Sequence, residues 1–265
     1  MATGQYIEIP PPAYRPSALS LLASVPETNL SGIIGKRWMN GVTFVPQLAR
    51  PVTDTTLAAA DVCADVDLDA LADGPPTAQT FDPFYIPTSM TCSGLSMSAA
   101  ELHDRNGVSH EVARSGFVAA WLKVLLEAHD TAVGNVSGTP LLVAKLEQQF
   151  ADTYGNAEGI IYMTPLVLAQ ARAANAIEYI ETPNGTITGF MSPAGHVVVA
   201  DAGFGSLSAG TKVFMSGPLG WHVAPFISSR RDEEFDPTRN TETAFDQEIG
   251  IVWFDQNSVV SAVLT

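Results

Sequence analysis

Apolar and polar positions change their period twice along the chain, and the changes divide it into three stretches. Up to about residue 96 no period holds. Prolines at 10, 11, 12, 16, 26, 46, 51, 75, 76, 83 and 87 cut the stretch into pieces too short for long helices. Extended pieces remain, GVTFVPQ (41–47) and FDPFYIP (81–87). So long a run without regular structure is uncommon inside a compact domain. It reads either as an irregular cap or as an arm that packs on neighbouring subunits, and the arm is the preferred reading.

A helical period follows. Ser98 or Ser96 caps a short helix through Arg105, which Gly107 breaks. Ser109 then caps a longer helix from His110 to about Thr131, with Gly134 at its stop. Val112, Ala113, Gly116, Phe117, Ala120, Trp121, Val124, Leu125 and Ala128 form one broad apolar stripe on it. Thr139-Pro140 and Thr164-Pro165 each place a capping residue before a first-turn proline. The helices LLVAKLEQQFADTY and LVLAQARAAN follow them, and Gly155 ends the first. GIIYM (159–163) between them reads as a short buried strand.

From residue 176 the period is two. AIEYIETPNGTITGF (176–190) is a hairpin whose Asn184-Gly185 supplies the positive φ of a tight turn. HVVVAD, TKVFMS and GWHVAPF are three further strands. EIGIVWFD (248–255) and VVSAVL (259–264), joined by QNS, predict a closing hairpin. No internal repeat is present.

Composition narrows the function classes. The chain has 265 residues, of which 46% are hydrophobic and only 15% charged, against about 25% charged in an average protein. A surface so poor in charge suits a chain that hides much of it against partners. The net charge is −15 and the pI about 4.5. Lysines stand only at 36, 123, 145 and 212, and the pair Arg230-Arg231 is followed by Asp232, Glu233 and Glu234. Binding to specific nucleic-acid sequences needs clustered cations and is disfavoured. Cys63 and Cys92 lack metal-ligand spacing and read as reduced thiols. The start MATGQYIEIPPP is no signal peptide and no apolar run reaches membrane length, so a soluble protein made in a cytoplasm is expected.

Candidate chemistry is thin. Asp201-Ala202-Gly203-Phe204-Gly205 follows a strand, but the glycines at 203, 205 and 210 miss the dinucleotide spacing, and Thr211-Lys212 is out of order for a phosphate loop. A turn with glycines at positive φ is the expectation. His103, His110, His129, His196 and His222 form no HxH or HExxH. His103 and His110, seven apart, read as exposed helix residues. CSGLS (92–96) is not a nucleophile elbow. DVDLD (65–69) lacks the glycine and closing Glu of a calcium loop. Asp232, Glu233, Glu234 and Asp236 read as an exposed acidic loop. No set supplies nucleophile, base and orienter together, so no catalytic, cofactor or metal residue is assigned.

Several phrases nevertheless resemble one family. FDPFYIPTSMTCS (81–93) before a long helix resembles the passage from extended loop to spine helix in tailed-phage major capsid proteins. YGNAEGIIYMTPLVLAQARA (154–173) is similar to the helix-strand-helix of their axial domain. VVVADAGFGSLSAGTKVFMSGPLGWHVAPF (197–226) is similar to axial-domain strands of small coat proteins of actinobacterial phages. NTETAFDQEIGIVWFDQNSVVSAVLT (240–265) resembles their closing strand pair. The resemblance implies an α+β fold of the Hong Kong 97 type, shared with encapsulins. It implies an N-terminal arm and extended loop (1–96), a peripheral domain with spine helix (97–139), an axial domain (140–229) and a return to the peripheral domain (230–265).

What it implies for function is a structural role without catalysis. The chain would be a major capsid subunit that self-assembles as hexamers and pentamers into an icosahedral head around double-stranded DNA held without specific binding. It would sit in the virion, after assembly in the host cytoplasm. Scaffolding, portal or cement proteins are the further partners, and no membrane or cofactor is involved. Gly107 and Gly116 predict a broken or kinked spine helix. The absence of lysine between 36 and 123 argues against Lys–Asn cross-links from the extended loop. The alternatives are an encapsulin-like shell or vertex subunit, a tail or decoration protein, and a small hydrolase or ligand-binding domain using the 203–210 loop.

Overall fold

A computed structural model describes residues 20–30, 35–46, 78–93, 98–155, 157–181, 187–205, 210–228, 235–236 and 241–265. Several expectations fall outside these residues: the arm before residue 20, the DVDLD run, Cys63, most of CSGLS, the Asn184-Gly185 turn, loop residues 206–209 and the charged run Arg230–Glu234.

In chain order the described elements are α1 (Leu21–Ser24), a 3-10 turn (Gly35–Asn40), β1 (Val42–Phe44), β2 (Gln79–Phe81), β3 (Phe84–Ser93), α2 (Ala99–His129) and β4 (Thr131–Val136). There follow α3 (Thr139–Tyr154), β5 (Ile160–Met163), α4 (Pro165–Ala173), β6 (Glu178–Glu181), β7 (Ile187–Met191), β8 (Val197–Ala200) and a 3-10 turn (Ala202–Phe204). Last come β9 (Lys212–Ser216), β10 (Leu219–Ser228), β11 (Phe235–Asp236), β12 (Thr241–Phe254), a 3-10 turn (Gln256–Ser258) and β13 (Val260–Leu264).

The predicted break at Gly107 does not occur, and α2 is one helix of 31 residues. Ser98 caps it, accepting the Glu101 N–H at 3.3 Å, and Glu101 pairs with Arg105 one turn on. A mid-helix glycine costs about 1 kcal/mol. Buried Asn106 and His110 on either side anchor the helix to the sheet beneath, which outweighs that cost. Ser109 is simply an exposed mid-helix residue. The helix ends at Asp130, whose carboxylate is held by Lys212 Nζ at 2.7 Å and by the Ser261 hydroxyl. The chain continues as β4, a strand that periodicity missed, with Gly134 at φ +101° inside it.

The other helices sit as read, with one shift of cap. Gly138 at φ +83° precedes α3, and Thr139 is its first, buried residue. Thr164 does cap α4, accepting the Val167 N–H at 3.3 Å.

Two main sheets carry the fold. Seven strands run in the order β4-β13-β9-β5-β8-β7-β6, with β5/β8 and β13/β4 parallel and the other pairs antiparallel. The predicted hairpin is β6/β7. Alternate residues serve opposite faces: Ile161, Met163, Val198, Val213 and Met215 pack with α3 and α4, while Ile160, Tyr162, Val199 and Phe214 pack with α2. Cover on both faces explains why these strands read as continuous apolar runs. The second sheet has β12 at its centre, paired with β3 on one side and with β10 and β11 on the other. A small antiparallel pair, β1/β2, stands apart.

The closing hairpin is the clearest correction. β12 and β13 do not pair; they lie in different sheets. Leu219 pairs with Phe254 in one sheet, and Met215 pairs with Val260 in the other. The two chains β9–β10 and β12–β13 therefore turn a corner together, at Gly217-Pro218 and at Asp255–Val259. Such corners let strands change sheets. Asp255 builds the turn by accepting the Asn257 N–H, and the Ser258 hydroxyl accepts the Gly217 N–H, both within 3.0 Å.

Residues 20–30 and 35–44 correct part of the arm expectation. They pack on their own chain, where Leu21, Val25, Leu30 and Trp38 are buried. Among the described residues no helix is long and apolar enough to cross a membrane.

Candidate functional site

The glycine loop opens with a filled turn and not a cradle. Asp201 ends β8, and its Oδ1 accepts the Gly203 N–H at 3.1 Å. The Phe204 N–H bonds to Asp201 O and the Gly205 N–H to Ala202 O. The donors a phosphate would need at 203, 204 and 205 are thus committed within the turn. Gly203 serves another purpose. A Cβ there would stand 2.4 Å from Gly116 O and 2.6 Å from Ala120 N, so only glycine lets the turn touch the spine helix. Gly205 at φ +156° and Gly210 at φ +87° take the positive φ that the sequence predicts for this loop, and Gly203 does not.

Asp201 is itself buried, and its Oδ2 accepts the Ser115 hydroxyl at 2.7 Å and the Leu21 N–H at 3.3 Å. The carboxylate joins the N-terminal segment, the spine helix and the end of β8. A buried charge must be hydrogen-bonded to persist, and its three donors supply that. No sequence signal identified these partners, which lie 86 and 180 residues away.

The histidines are dispersed. His110 is buried, contrary to expectation, because the face of α2 it occupies lies on the β3/β12 sheet. Its Nδ1 is 2.7 Å from Thr88 Oγ1 and its Nε2 is 3.1 Å from Glu248 Oε2, which also meets Arg114 Nε at 2.8 Å. The contacts to Glu248 are electrostatic, since neither is aligned as a hydrogen bond. One turn back, Asn106 donates to Asp246 at 2.6 Å. His196 is buried and accepts the Gly159 N–H at 3.1 Å. His222 meets Glu27 on the N-terminal segment at 2.7 Å, while His129 is exposed. Among the described residues no group of His, Cys, Asp or Glu has the arrangement of a metal site.

The surface feature that chemistry leaves unexplained is on the spine helix. Its buried positions change face midway. Leu102, Asn106 and His110 face the β3/β12 sheet; Ser115, Val118, Ala119, Leu122 and Leu126 face the opposite way, into the core between the sheets. At 3.6 residues per turn the first row continues to Phe117, Trp121 and Val124. These are exposed, Val124 by 57% and Phe117 by 43%, and Trp121 only stacks on Phe84 where the sheet ends. The broad stripe read from the sequence is therefore mostly the face that the described residues leave open, and the core uses the other.

No family model matches the chain, and no curated protein does. Solved structures do. A chain of Gordonia phage Cozz aligns with a TM-score of 0.52 at 13% identity, covering 85% of this chain and 81% of that one. A chain of Mycobacterium phage Che8 aligns at 0.51 and 12% identity, covering 98% of each. A virus-like particle from Pyrococcus furiosus aligns at 0.52 and 10% identity, covering 92% of each.

The chain has the Hong Kong 97-type capsid fold.

In a Hong Kong 97-type chain built this way, the long helix, the glycine turn and the two sheets form one packed unit. The Asp201 turn is a structural joint within it, and the open row on α2 is the surface that remains to be assigned.

Proposed function

We propose that the chain is the major capsid subunit of a tailed bacteriophage, forming hexamers and pentamers of an icosahedral head around double-stranded DNA. One observation carries this beyond the fold: the spine helix is apolar on two opposite faces, and along its C-terminal half the described residues cover only one. A helix that is apolar all round is a buried helix. The second cover is another copy of this chain. Burying Phe117 and Val124 contributes roughly 1–3 kcal/mol each, repeated at every contact of a shell.

The proposed division is an arm and extended loop (1–96), a peripheral domain (97–139 and 230–265) and an axial domain (140–229). β4 and β13, two strands of the seven-stranded sheet, form the seam. The role needs no catalysis. The net charge of −15 limits adhesion of packaged DNA where the lumen shares it. Scaffolding, portal and cement proteins are the proposed further partners, and the virion is the proposed location.

The likeness to a virus-like particle supports a second reading, a shell without a tail. Both are tested by negative-stain microscopy and light scattering of the purified protein. Closed shells or free rings support a shell subunit, and packaged DNA in particles from infected cells selects the phage head. A clean monomer or dimer at high concentration sinks both. The double change Phe117→Glu with Val124→Glu is expected to abolish shells while leaving helical content unchanged. Normal shells from that variant would show that the open row is not the contact.

A further inference from the structure

Residues 20–30 bridge the two main sheets. At one end Leu21 N–H donates to Asp201 Oδ2 at the end of β8 in the seven-stranded sheet, and Leu22 N–H reaches Ser115 Oγ on the spine helix at 3.4 Å. At the other end the hydrogen bonds run to β10 of the second sheet. Trp221 Nε1 donates to Val25 O, and Thr28 N–H donates to Trp221 O, both at 2.9 Å. Glu27 Oε1 lies 2.7 Å from His222 Nδ1 and accepts the Val223 N–H at 3.2 Å. One helical turn and a few extended residues cover about 20 Å between the ends. Leu21 and Val25 are buried in the core that both sheets share.

The leverage of this segment comes from where the sheets otherwise join. Two adjacent corners, Gly217-Pro218 and Asp255–Val259, connect them, and adjacent corners define a hinge line. Val197 at the start of β8 lies level with Ser216 at the corner, both being partners of Ile160. The hinge line crosses the strands at that level, and Asp201 stands four residues further along β8, about 13 Å off the line. A tie at that distance resists rotation about the hinge, whereas the corners by themselves do not. The spine helix packs on both sheets as well, through Asn106 and His110 on the second sheet and through Val118 and Leu122 in the core the sheets share.

We propose that residues 20–30 are a brace, latched by Asp201 on one sheet and Glu27 on the other, that sets the angle between the two sheets. Releasing it lets the sheets rock about the corners. The inference concerns the single subunit and goes beyond the shell reading, so either stands if the other fails.

The test uses the full-length subunit at concentrations where it is unassembled. Glu27 is partly exposed, so Glu27→Ala removes a latch without emptying the core. Thr28→Pro, which deletes the N–H bonded to Trp221, is the second variant. Hydrogen exchange is read at Leu21 and Thr28, or at Leu21 alone for Thr28→Pro, with Ile161 as the central-strand reference. Spin labels at Ser89→Cys and Glu178→Cys, with Cys63 and Cys92 replaced by Ser, report the distance between the sheets. Each variant is expected to raise exchange in the brace about tenfold, leave Ile161 unchanged and broaden a narrow distance distribution. Faster exchange with a distance that stays narrow overturns the proposal. So does exchange that stays slow in both variants, or loss of protection at Ile161 in step with Leu21.

Discussion

Gly203 and Tyr162 are single residues whose roles depend on what is packed against them. Replacing Gly203 by Ala puts a methyl against the backbone of Gly116 and Ala120, neither of which is a flexible side-chain end. Overpacking of this kind costs roughly 1–3 kcal/mol. Urea unfolding of the Gly203→Ala subunit is expected to show that loss. Tyr162 is buried beneath the spine helix, its hydroxyl 3.0 Å from Ser216 Oγ. Burial pushes its phenol above the usual range. The raised value means the folded chain keeps a proton that the unfolded chain releases above about pH 10. Its stability contribution is whole below that pH and is lost progressively as the pH climbs towards the folded value. Urea midpoints from pH 8 to 11 are expected to fall less steeply for Tyr162→Phe. The sequence showed a glycine in a turn and a tyrosine in a strand; neither neighbour was legible, because Gly203 meets the helix across more than 80 residues of chain and Tyr162 meets Ser216 across 54.

Among the elements, the spine helix separates what periodicity can and cannot tell. Its two apolar rows share one period and differ only in phase. Val118 and Leu122 stand on one, Phe117 and Trp121 on the other, and a count of apolar spacings finds both. Which row enters the core depends on where β3 begins, beside Phe84 and Trp121, and on where the Asp201 turn meets Ser115 and Gly116. Neither is a property of the helix's own residues. Gly107 was read as a break because propensity is local, whereas the anchors at Asn106 and His110 come from β3 and β12. The position is exposed and a Cβ there meets nothing within 4 Å. Gly107→Ala is therefore expected to stabilise the subunit by about 1 kcal/mol in thermal or urea unfolding. A loss of stability there would show that the helix needs flexibility at that point.

At the scale of the whole molecule the N-terminal region divides into parts with different duties. Leu21, Val25, Leu30 and Trp38 fill this chain's own core, each contributing roughly 1.5–3 kcal/mol. Deleting residues 1–44 is expected to lower subunit stability by several kcal/mol. Deleting residues 1–19 is expected to leave unfolding of the subunit unchanged and to weaken shell assembly, as the proposed arm role requires. Calorimetry of the unassembled subunit reads the first effect and light scattering of assembly the second. If the shorter deletion left assembly intact, the arm role would be lost while the packing of residues 20–44 stood.

Local order is what the sequence alone determined. The period marked α3, α4, the β6/β7 hairpin and the strands from β8 to β10, and Ser98 and Thr164 announced two helix starts. Sparse charge and abundant apolar residues pointed to a chain that meets partners. These signals are carried by composition and by residues within a turn or two of one another. The tertiary structure decided the rest: that β12 and β13 enter different sheets, that Asp201 joins three distant segments, that His110 is buried, and which row of the spine helix stays open. A strand's period states that it has two faces, and a helix's stripe states that it has a side. What lies against each is set by contacts between residues tens to hundreds of positions apart, and local spacing carries no record of them.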